Sequence, residues 1–344
     1  MGERQRPTIK TVAARAGVGR TTVSRVINGS ELVSDKAKAA VLAAIAELNY
    51  VPNSVARGLV TSKTNSVALV IPESESRLGS EPYFSAVIRG VSTVLAETRT
   101  QLQLMLVRDQ GERDQLTASV AERRVDGVLL VSVHEHDPLP GMLEEMGLPT
   151  VLAGRRGRQE PLSHVHSDNE GGAAAAVRHL LDQGRTKVAT ITGPLDMDVA
   201  RSRLQGWREA LERAGLPAGP ELVARGDFTE DGGRAAMRSL LEQLPDLDAV
   251  FAASDVMAVG ALLELRRSGR RVPDDVAVVG FDDSILARHS NPPLTSVSQP
   301  VEKIGSTIAR LLLEEIDDPR TPRRHVVLPT RLVVRESSGG PSAD

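Results

Sequence analysis

From Ser66 onward, short apolar runs alternate with amphipathic stretches of helical length, and this alternation constrains the fold more than any other feature. Residues 67–71, 102–107, 128–131 and 150–152 have the length and composition of buried strands, and 85–97, 115–122 and 139–146 between them have helical spacing. A second series comes after these, with strands at 188–191, 222–224, 249–252 and 276–280 and helices near 171–181, 203–214, 232–244 and 258–267. Strands that alternate with helices form parallel sheets, because each return to the sheet needs a crossover long enough to hold a helix. Two series imply two α/β subdomains. Such sheets take ligands in a cleft at the carboxyl ends of their strands.

The first sixty residues obey a different rule. Thr8 is placed to cap a helix running to about Ala16, whose Ile9, Val12, Ala13 and Ala16 make one apolar stripe. Gly17 ends it, since glycine enters the left-handed region without steric cost. A second helix begins near Thr21 or Thr22, and its Val23, Val26 and Ile27 close onto the first. The small Ala13 lets the two helices cross closely. Arg20, Thr21, Ser24, Arg25 and Asn28 remain on the open face, all of them hydrogen-bonding types. A third helix, capped by Ser34, places Val41, Leu42, Ile45 and Leu48 on one face. This reads as a helix-turn-helix, which lays its second helix in the major groove of DNA; the alternative at this point is an ordinary helical hairpin whose polar face is merely wetted. Arg25 suits a bidentate contact with guanine. Thr22, Ser24 and Asn28 suit phosphate contacts, which fix register without reading sequence. Gly17-x-Gly19 is not a dinucleotide fingerprint, because no strand precedes it and the third glycine is missing.

Charge separates the same two regions. The whole chain of 344 residues carries a net charge of −3, but residues 1–64 hold ten Lys/Arg and four Asp/Glu, giving +6 and leaving −9 for the rest. A basic head on an acidic body fits a head that binds a polyanion and a body that DNA repels. The chain has no cysteine, which excludes disulfides and thiolate chemistry. Its first residues are polar and charged, and no apolar run approaches the ~20 residues of a membrane span. A cytoplasmic protein without a membrane partner is expected.

The helix-turn-helix and the segment beyond the third helix together carry a family resemblance. Ala16-Gly17-Val18, Thr22-Val23-Ser24-Arg25-Val26, Asn28-Gly29, Val33-Ser34 and Tyr50-x-Pro52-Asn53-x-x-Ala56-Arg57-x-Leu59 resemble the headpiece and hinge of the LacI/GalR repressors, and the similarity runs from about Thr8 to Glu336. The resemblance implies an α/β protein: an all-α helix-turn-helix headpiece on a periplasmic-binding-protein-like body of two parallel-sheet subdomains. It places the headpiece at 1–52, a hinge helix and linker at 53–64, and an effector-binding and dimerisation domain at 65–344. Lobe 1 is expected at 65–163 and 290–323 and lobe 2 at 164–289 and 324–336, with crossings near His164, Ser290 and Arg324. Arg20, Thr21 and Arg25 match the base-reading positions, Thr8 lies at the start of the headpiece, and Asn53, Ala56, Arg57 and Leu59 lie in the DNA-contacting hinge. Leu59 matches the apolar wedge that opens a base step in the minor groove. Two departures stand out. Gly19 replaces a serine cap, and Gly58 lies inside the hinge helix, where glycine costs up to about 1 kcal/mol relative to alanine.

The resemblance also names a cleft. Arg203, in Arg203-Leu204-x-Gly206-Trp207, matches an arginine that holds effector hydroxyls, and its fork reaches two vicinal oxygens at once. Asp282, in Gly280-Phe281-Asp282-Asp283, matches a second hydroxyl-binding position. Ser254 and Asp255 end another strand, where Asp255 is equally placed to cap the following helix. Phe228 matches an aromatic that stacks on a sugar face. Glu81, Tyr83 and Phe84 come after the first strand on a loop that lines the cleft. Trp207 reads as core, and Asp283 reads equally as cap or ligand. The loops around 74–84, 193–197 and 226–229 look most like actinobacterial repressors of cellulose and cello-oligosaccharide utilisation, which implies cellobiose or a related oligosaccharide as effector. The partners implied are a palindromic operator, a small sugar and a second copy of the chain. The terminal stretch 335–344 carries no heptads, so a tetramer is not expected.

The rival readings are a sugar-processing enzyme, a sugar-binding receptor, and the same fold with a purine-type effector or co-repressor. No nucleophile elbow, phosphate-cradling loop or His-Glu-x-x-His occurs, so no catalytic residue or cofactor is expected. The His134-Glu135-His136-Asp137 and His164-x-His166-x-Asp168 clusters read as solvated loops rather than a metal site.

Overall fold

The structure, a computed structural model, describes residues 7–27, 30, 32–50, 63–98 and 100–340. The chain divides into two compact units, 1–64 and 65–344. Three helices make up the described part of the first: α1 (Ile9–Ala16), α2 (Arg20–Ile27) and α3 (Asp35–Glu47). The Thr8 hydroxyl accepts from the Thr11 N–H, and the Thr11 hydroxyl accepts from the Thr8 N–H at 2.8 Å, a reciprocal cap. Gly17 ends α1 at φ 65°, in the left-handed region. Val12, Ala13, Val23, Val26, Val41 and Ala44 form the buried core. Leu42, expected on the packed face of α3, is 52% exposed, because Val41 and Ala44 are the residues that turn inward. Asn28, Asn53, Ala56, Arg57, Leu59 and the expected hinge helix lie outside the described residues.

The second unit holds two six-stranded sheets. Its strands are β1 (Ser66–Ile71), β2 (Gln101–Leu106), β3 (Gly127–Val131), β4 (Thr150–Ala153), β5 (Ser163–Ser167), β6 (Val188–Thr192), β7 (Val223–Arg225), β8 (Ala249–Ala252), β9 (Ala277–Asp282), β10 (Thr295–Ser298), β11 (His325–Leu328) and β12 (Arg331–Val333). Lobe 1 has the order β11-β5-β4-β3-β1-β2 and lobe 2 the order β12-β10-β9-β8-β6-β7. Every pairing is parallel except β10 with β12. The central strands are buried throughout and carry the continuous apolar runs that parallel sheets require.

The crossings fall a few residues beyond the expected positions. His164 lies inside β5, paired with Leu152 of β4 and His325 of β11, so the first crossing comes after Ser167. Strand β10 still pairs with β9 in lobe 2, which moves the second crossing past Ser298. Arg324 precedes β11 in lobe 1, and the third crossing is the short link between Leu328 and Arg331. Backbone pairing extends each sheet right up to the crossings.

Lobe 2 has one large apolar core that includes Trp207, Phe251 and Phe281. Trp207 is fully buried, and its indole N–H donates to the Val188 carbonyl at 3.1 Å. Lobe 1 has a core on each face of its sheet. On one face the helices Pro82–Ala96 and Val301–Asp317 pack together through glycines. A Cβ at Gly90 would overlap the Glu302 carbonyl, and one at Gly305 would overlap the Val87 carbonyl. Backbone therefore lies on backbone there, with no flexible side chain to yield. Gly90→Ala is expected to cost about 1–3 kcal/mol through overpacking, read as a lower urea midpoint by circular dichroism.

Candidate functional site

In the head, Arg20, Thr21 and Arg25 are exposed along α2, and Thr22 and Ser24 are half-buried. Burial of Val23 and Val26 dictates this: at 3.6 residues per turn, the opposite face of α2 faces outward. Arg15 on α1 is paired with Glu47 at 2.6 Å, so it belongs to the scaffold of the head.

In the body, a cleft with about 700 Å³ of empty space, mouth included, lies between the lobes at the carboxyl ends of the strands. Lobe 1 contributes Arg77, Glu81, Tyr83, Ser132, Arg155 and His166; lobe 2 contributes Asp198, Arg203, Phe228, Ser254 and Asp282. Asn169 and Gln299 stand at the first and second crossings.

Arg203 is the centre of this set and is 4% exposed. Its Nε donates to Asn169 Oδ1 at 3.0 Å and its Nη1 to the Ala253 carbonyl at 2.5 Å. Its guanidinium lies 3.7 Å from the Phe281 ring centre, close enough for a cation–π contact. Asp282 Oδ1 is 3.6 Å from Nη1 and accepts from Gln299 Nε2 at 2.6 Å. Burial lowers the Arg203 pKa and raises that of Asp282, because each charge has lost water that the other only partly replaces. Asp282 and Asp283 occupy the left-handed region, at φ 114° and 52°, so the end of β9 turns sharply to present the Asp282 carboxyl. Burial also raises the Glu81 carboxyl to about 7, against the pull of Arg77. The Tyr83 hydroxyl is likewise pushed up by burial. Phe228 is buried, and its ring packs where a Cβ at residue 193 would stand, so Gly193 makes room for it.

Six of the eight expected cleft residues line it: Glu81, Tyr83, Arg203, Phe228, Ser254 and Asp282. The Ser254 hydroxyl also caps the next helix, accepting from the Met257 N–H at 3.2 Å. Phe84 does not line the cleft. It is 1% exposed in the lobe 1 core, one helical position past Tyr83 and therefore turned inward. Asp255 does not line it either. It accepts from the Ser284 N–H at 2.7 Å and the Ser296 hydroxyl at 2.6 Å, which ties its helix to the end of β9 and to β10. Asp283 pairs with Arg335 at 2.6 Å.

Arg77, Asn169 and Gln299 are cleft residues that the sequence does not single out. Arg77 had a signal, since Glu73, Arg77 and Glu81 stand four apart, the spacing of helical ion pairs, and both pairs are formed. Asn169 and Gln299 had none, because their roles come from the crossings. The two histidine clusters differ: 134–137 is a loop with Glu135 and His136 exposed, as expected, whereas His164 and His166 lie in a strand rather than a solvated loop. His164 is buried in β5, and half-buried His134 bonds Glu73 and Asp196. Among the described residues, no group of three or more His, Asp or Glu is arranged to hold a metal ion.

Residues 8–53 match the family of bacterial regulatory proteins, lacI family, and residues 177–338 match the periplasmic binding protein-like domain. The chain is 51% identical over 339 residues to the HTH-type transcriptional regulator CelR of Thermobifida fusca, spanning 98% of this chain and 100% of that protein. Among solved structures it is similar to a transcriptional regulator CelR–cellobiose complex, at 50% identity and a TM-score of 0.77, over 96% of this chain and 100% of that one. It is also similar to the lac repressor dimer bound to operator and the anti-inducer ONPF, at 28% identity and a TM-score of 0.85, over 97% and 99% of the two chains.

Asp282→Ala would leave the Arg203 cation buried without its carboxylate. Breaking a buried pair from one side costs about 3–5 kcal/mol, and the lower end is expected because Nη1 keeps the Ala253 carbonyl. Asp282→Asn, which keeps an acceptor for Gln299, should cost less. Urea denaturation of both variants checks the order.

Proposed function

The chain belongs to the lacI family of bacterial regulatory proteins, and on that premise we propose that it is a homodimeric, cytoplasmic repressor released from a palindromic operator by cellobiose or a related cello-oligosaccharide. It is a DNA-binding regulator and not an enzyme. The observation that carries the effector reading is the buried Arg203–Asp282 pair facing Tyr83 and Glu81 across the cleft, beside the Phe228 ring. A guanidinium and a carboxylate offer two donors or two acceptors side by side, which matches vicinal hydroxyls. The Phe228 ring, buried with Arg77 over it, adds an apolar wall beside that pair. Similarity to the regulator solved with cellobiose supports that sugar within the class.

In this reading the head carries the DNA contacts. Arg20, Thr21 and Arg25 face the bases, and Thr22 and Ser24 face the phosphates. Thr8 holds the start of α1, with Asn28, Asn53, Ala56, Arg57 and Leu59 completing the set. A two-fold pair of heads reads two matched half-sites. Effector and operator favour different arrangements of the lobes, so each weakens the other by the same factor. No helix among the described residues is long and apolar enough to cross a membrane.

A labelled palindromic site, selected from random DNA and bound at fixed salt, tests this directly. Cellobiose or cellotriose is expected to release it while other sugars do not; retention in every sugar would overturn the effector reading. Arg25→Ala is expected to cost about 1–3 kcal/mol at one base pair and to relax specificity there. Unchanged affinity and base preference would remove Arg25 from the reading set.

A further inference from the structure

Five side chains run across the cleft and back. Asp196, on the loop after β6 in lobe 2, meets His134 Nδ1 of lobe 1 at 2.7 Å. His134 Nε2 is 3.3 Å from Glu73 Oε1, which also accepts from the Ser132 hydroxyl at 2.6 Å and pairs with Arg77 Nη1. Arg77 is 8% exposed, donates from Nε to Glu81 at 3.0 Å, and holds its guanidinium 5.0 Å from the ring centre of Phe228, back in lobe 2. The chain Asp196–His134–Glu73–Arg77–Phe228 therefore starts and ends in lobe 2 and passes through lobe 1. Backbone and ion pairs flank it. The Glu135 N–H donates to the Asp196 carbonyl at 2.8 Å, Arg201 pairs with Glu135 at 2.7 Å, and Arg155 pairs with Asp198 at 2.7 Å.

His134 is the joint of this chain. Both ring nitrogens face carboxylate oxygens, which only accept, so both must carry protons. A neutral imidazole would turn a lone pair on one of the two. The charged groups around it are Glu73 and Asp196 in direct contact, Arg77 beyond Glu73, and the Glu135–Arg201 pair alongside. Asp137, whose N–H donates to the His134 carbonyl, is neutralised by Arg113 at 2.7 Å.

We infer that His134 is a positioning residue for the effector: its doubly protonated ring joins the lobes through Asp196 and Glu73 and thereby seats Arg77 on Phe228 beside the bound sugar. This rests on the sugar-cleft reading, and it adds two residues, His134 and Glu73, that do not line the cleft. It also makes effector binding sensitive to pH. The hydrogen bond to Glu73, opposed by burial and reinforced by Asp196, raises the His134 pKa to about 9 with the lobes joined. With the lobes apart the ring returns toward its ordinary value near 6.5. A group raised in this way favours the joined state fully below the lower value and loses that effect as pH rises through the upper one. Cellobiose affinity should therefore fall by roughly twenty-fold between about pH 7.5 and 9.5.

The test is calorimetric titration of the full chain with cellobiose across that range, alongside NMR titration of the His134 ring. Wild type is expected to weaken with pH and to show His134 titrating above about 8. His134→Gln should bind several-fold more weakly at the low end of the range, with a flat profile, and Asp196→Asn should shift the ring's titration downward. A flat wild-type profile, or His134→Gln following the wild-type curve, would overturn the inference even if cellobiose binds. If cellobiose does not bind at any pH, the effector reading fails and the inference that rests on it goes with it; if cellobiose binds but His134 in the sugar-saturated protein titrates near about 6.5, the clamp alone is overturned.

Discussion

A buried guanidinium organises this molecule. Arg203 is charged, almost without solvent, and survives there because its Nε, its Nη1 and one face are engaged: Asn169 at the first crossing, the Ala253 carbonyl at the end of β8, the Phe281 ring beneath, and Asp282 beside it. Burying a charge is tolerable only with such partners. Each partner is also held in turn. Asn169 donates to the Ser167 carbonyl at the end of β5, and Gln299 joins Asp282 to the Ser167 hydroxyl. One cation thus connects the floor of the cleft to two of the three places where the chain passes between lobes. A ligand that competes for Arg203 or Asp282 also disturbs the crossings.

The parts legible in the sequence were those that one physical rule fixes locally. The apolar runs of β1, β3, β6 and β8 are almost free of polar positions, so burial on both faces was readable. The Thr8 cap and the Gly17 turn were readable because few residues serve in those places. The strands that flank the crossings were not. Strand β5 reads Ser-His-Val-His-Ser, β10 reads Thr-Ser-Val-Ser and β12 has three residues, so they lack the length and apolarity of a strand signal. They exist because neighbouring strands pair with them, β5 with β4 and β11 and β10 with β9 and β12, a tertiary demand that no short window contains.

The candidate site divides along the same line. Arg203, Asp282 and Phe228 sit at strand ends or on motifs, and the cleft received them. Phe84 and Asp255 obeyed the same logic and failed by one residue. Phe84 is next to Tyr83 on a helix, where a step of one residue turns a side chain by about 100°. Asp255 is next to Ser254, and the serine took the capping position, leaving the aspartate to lock β9 to β10 from behind. A motif fixes the backbone of such a pair, and helical phase decides which member faces the cleft.

The parallel arrangement of lobe 1 has a mechanical consequence. The cleft lies at the carboxyl ends of the strands, so the amino end of β1, at Ser66, is the full length of that strand away from it. Its six residues, at about 3.3 Å each, make that arm roughly 20 Å. Lobe 1 is stiff on that scale, because Gly90 and Gly305 bring two helix backbones into direct contact across its face. A stiff arm magnifies rotation: each degree of turning at the crossings sweeps Ser66 through about 0.3 Å on an arm of that length. Ser66 is also where the chain enters from the linker to the head. A few degrees at the cleft thus reach the linker as a displacement of ångström size, comparable to a hydrogen bond's whole tolerance.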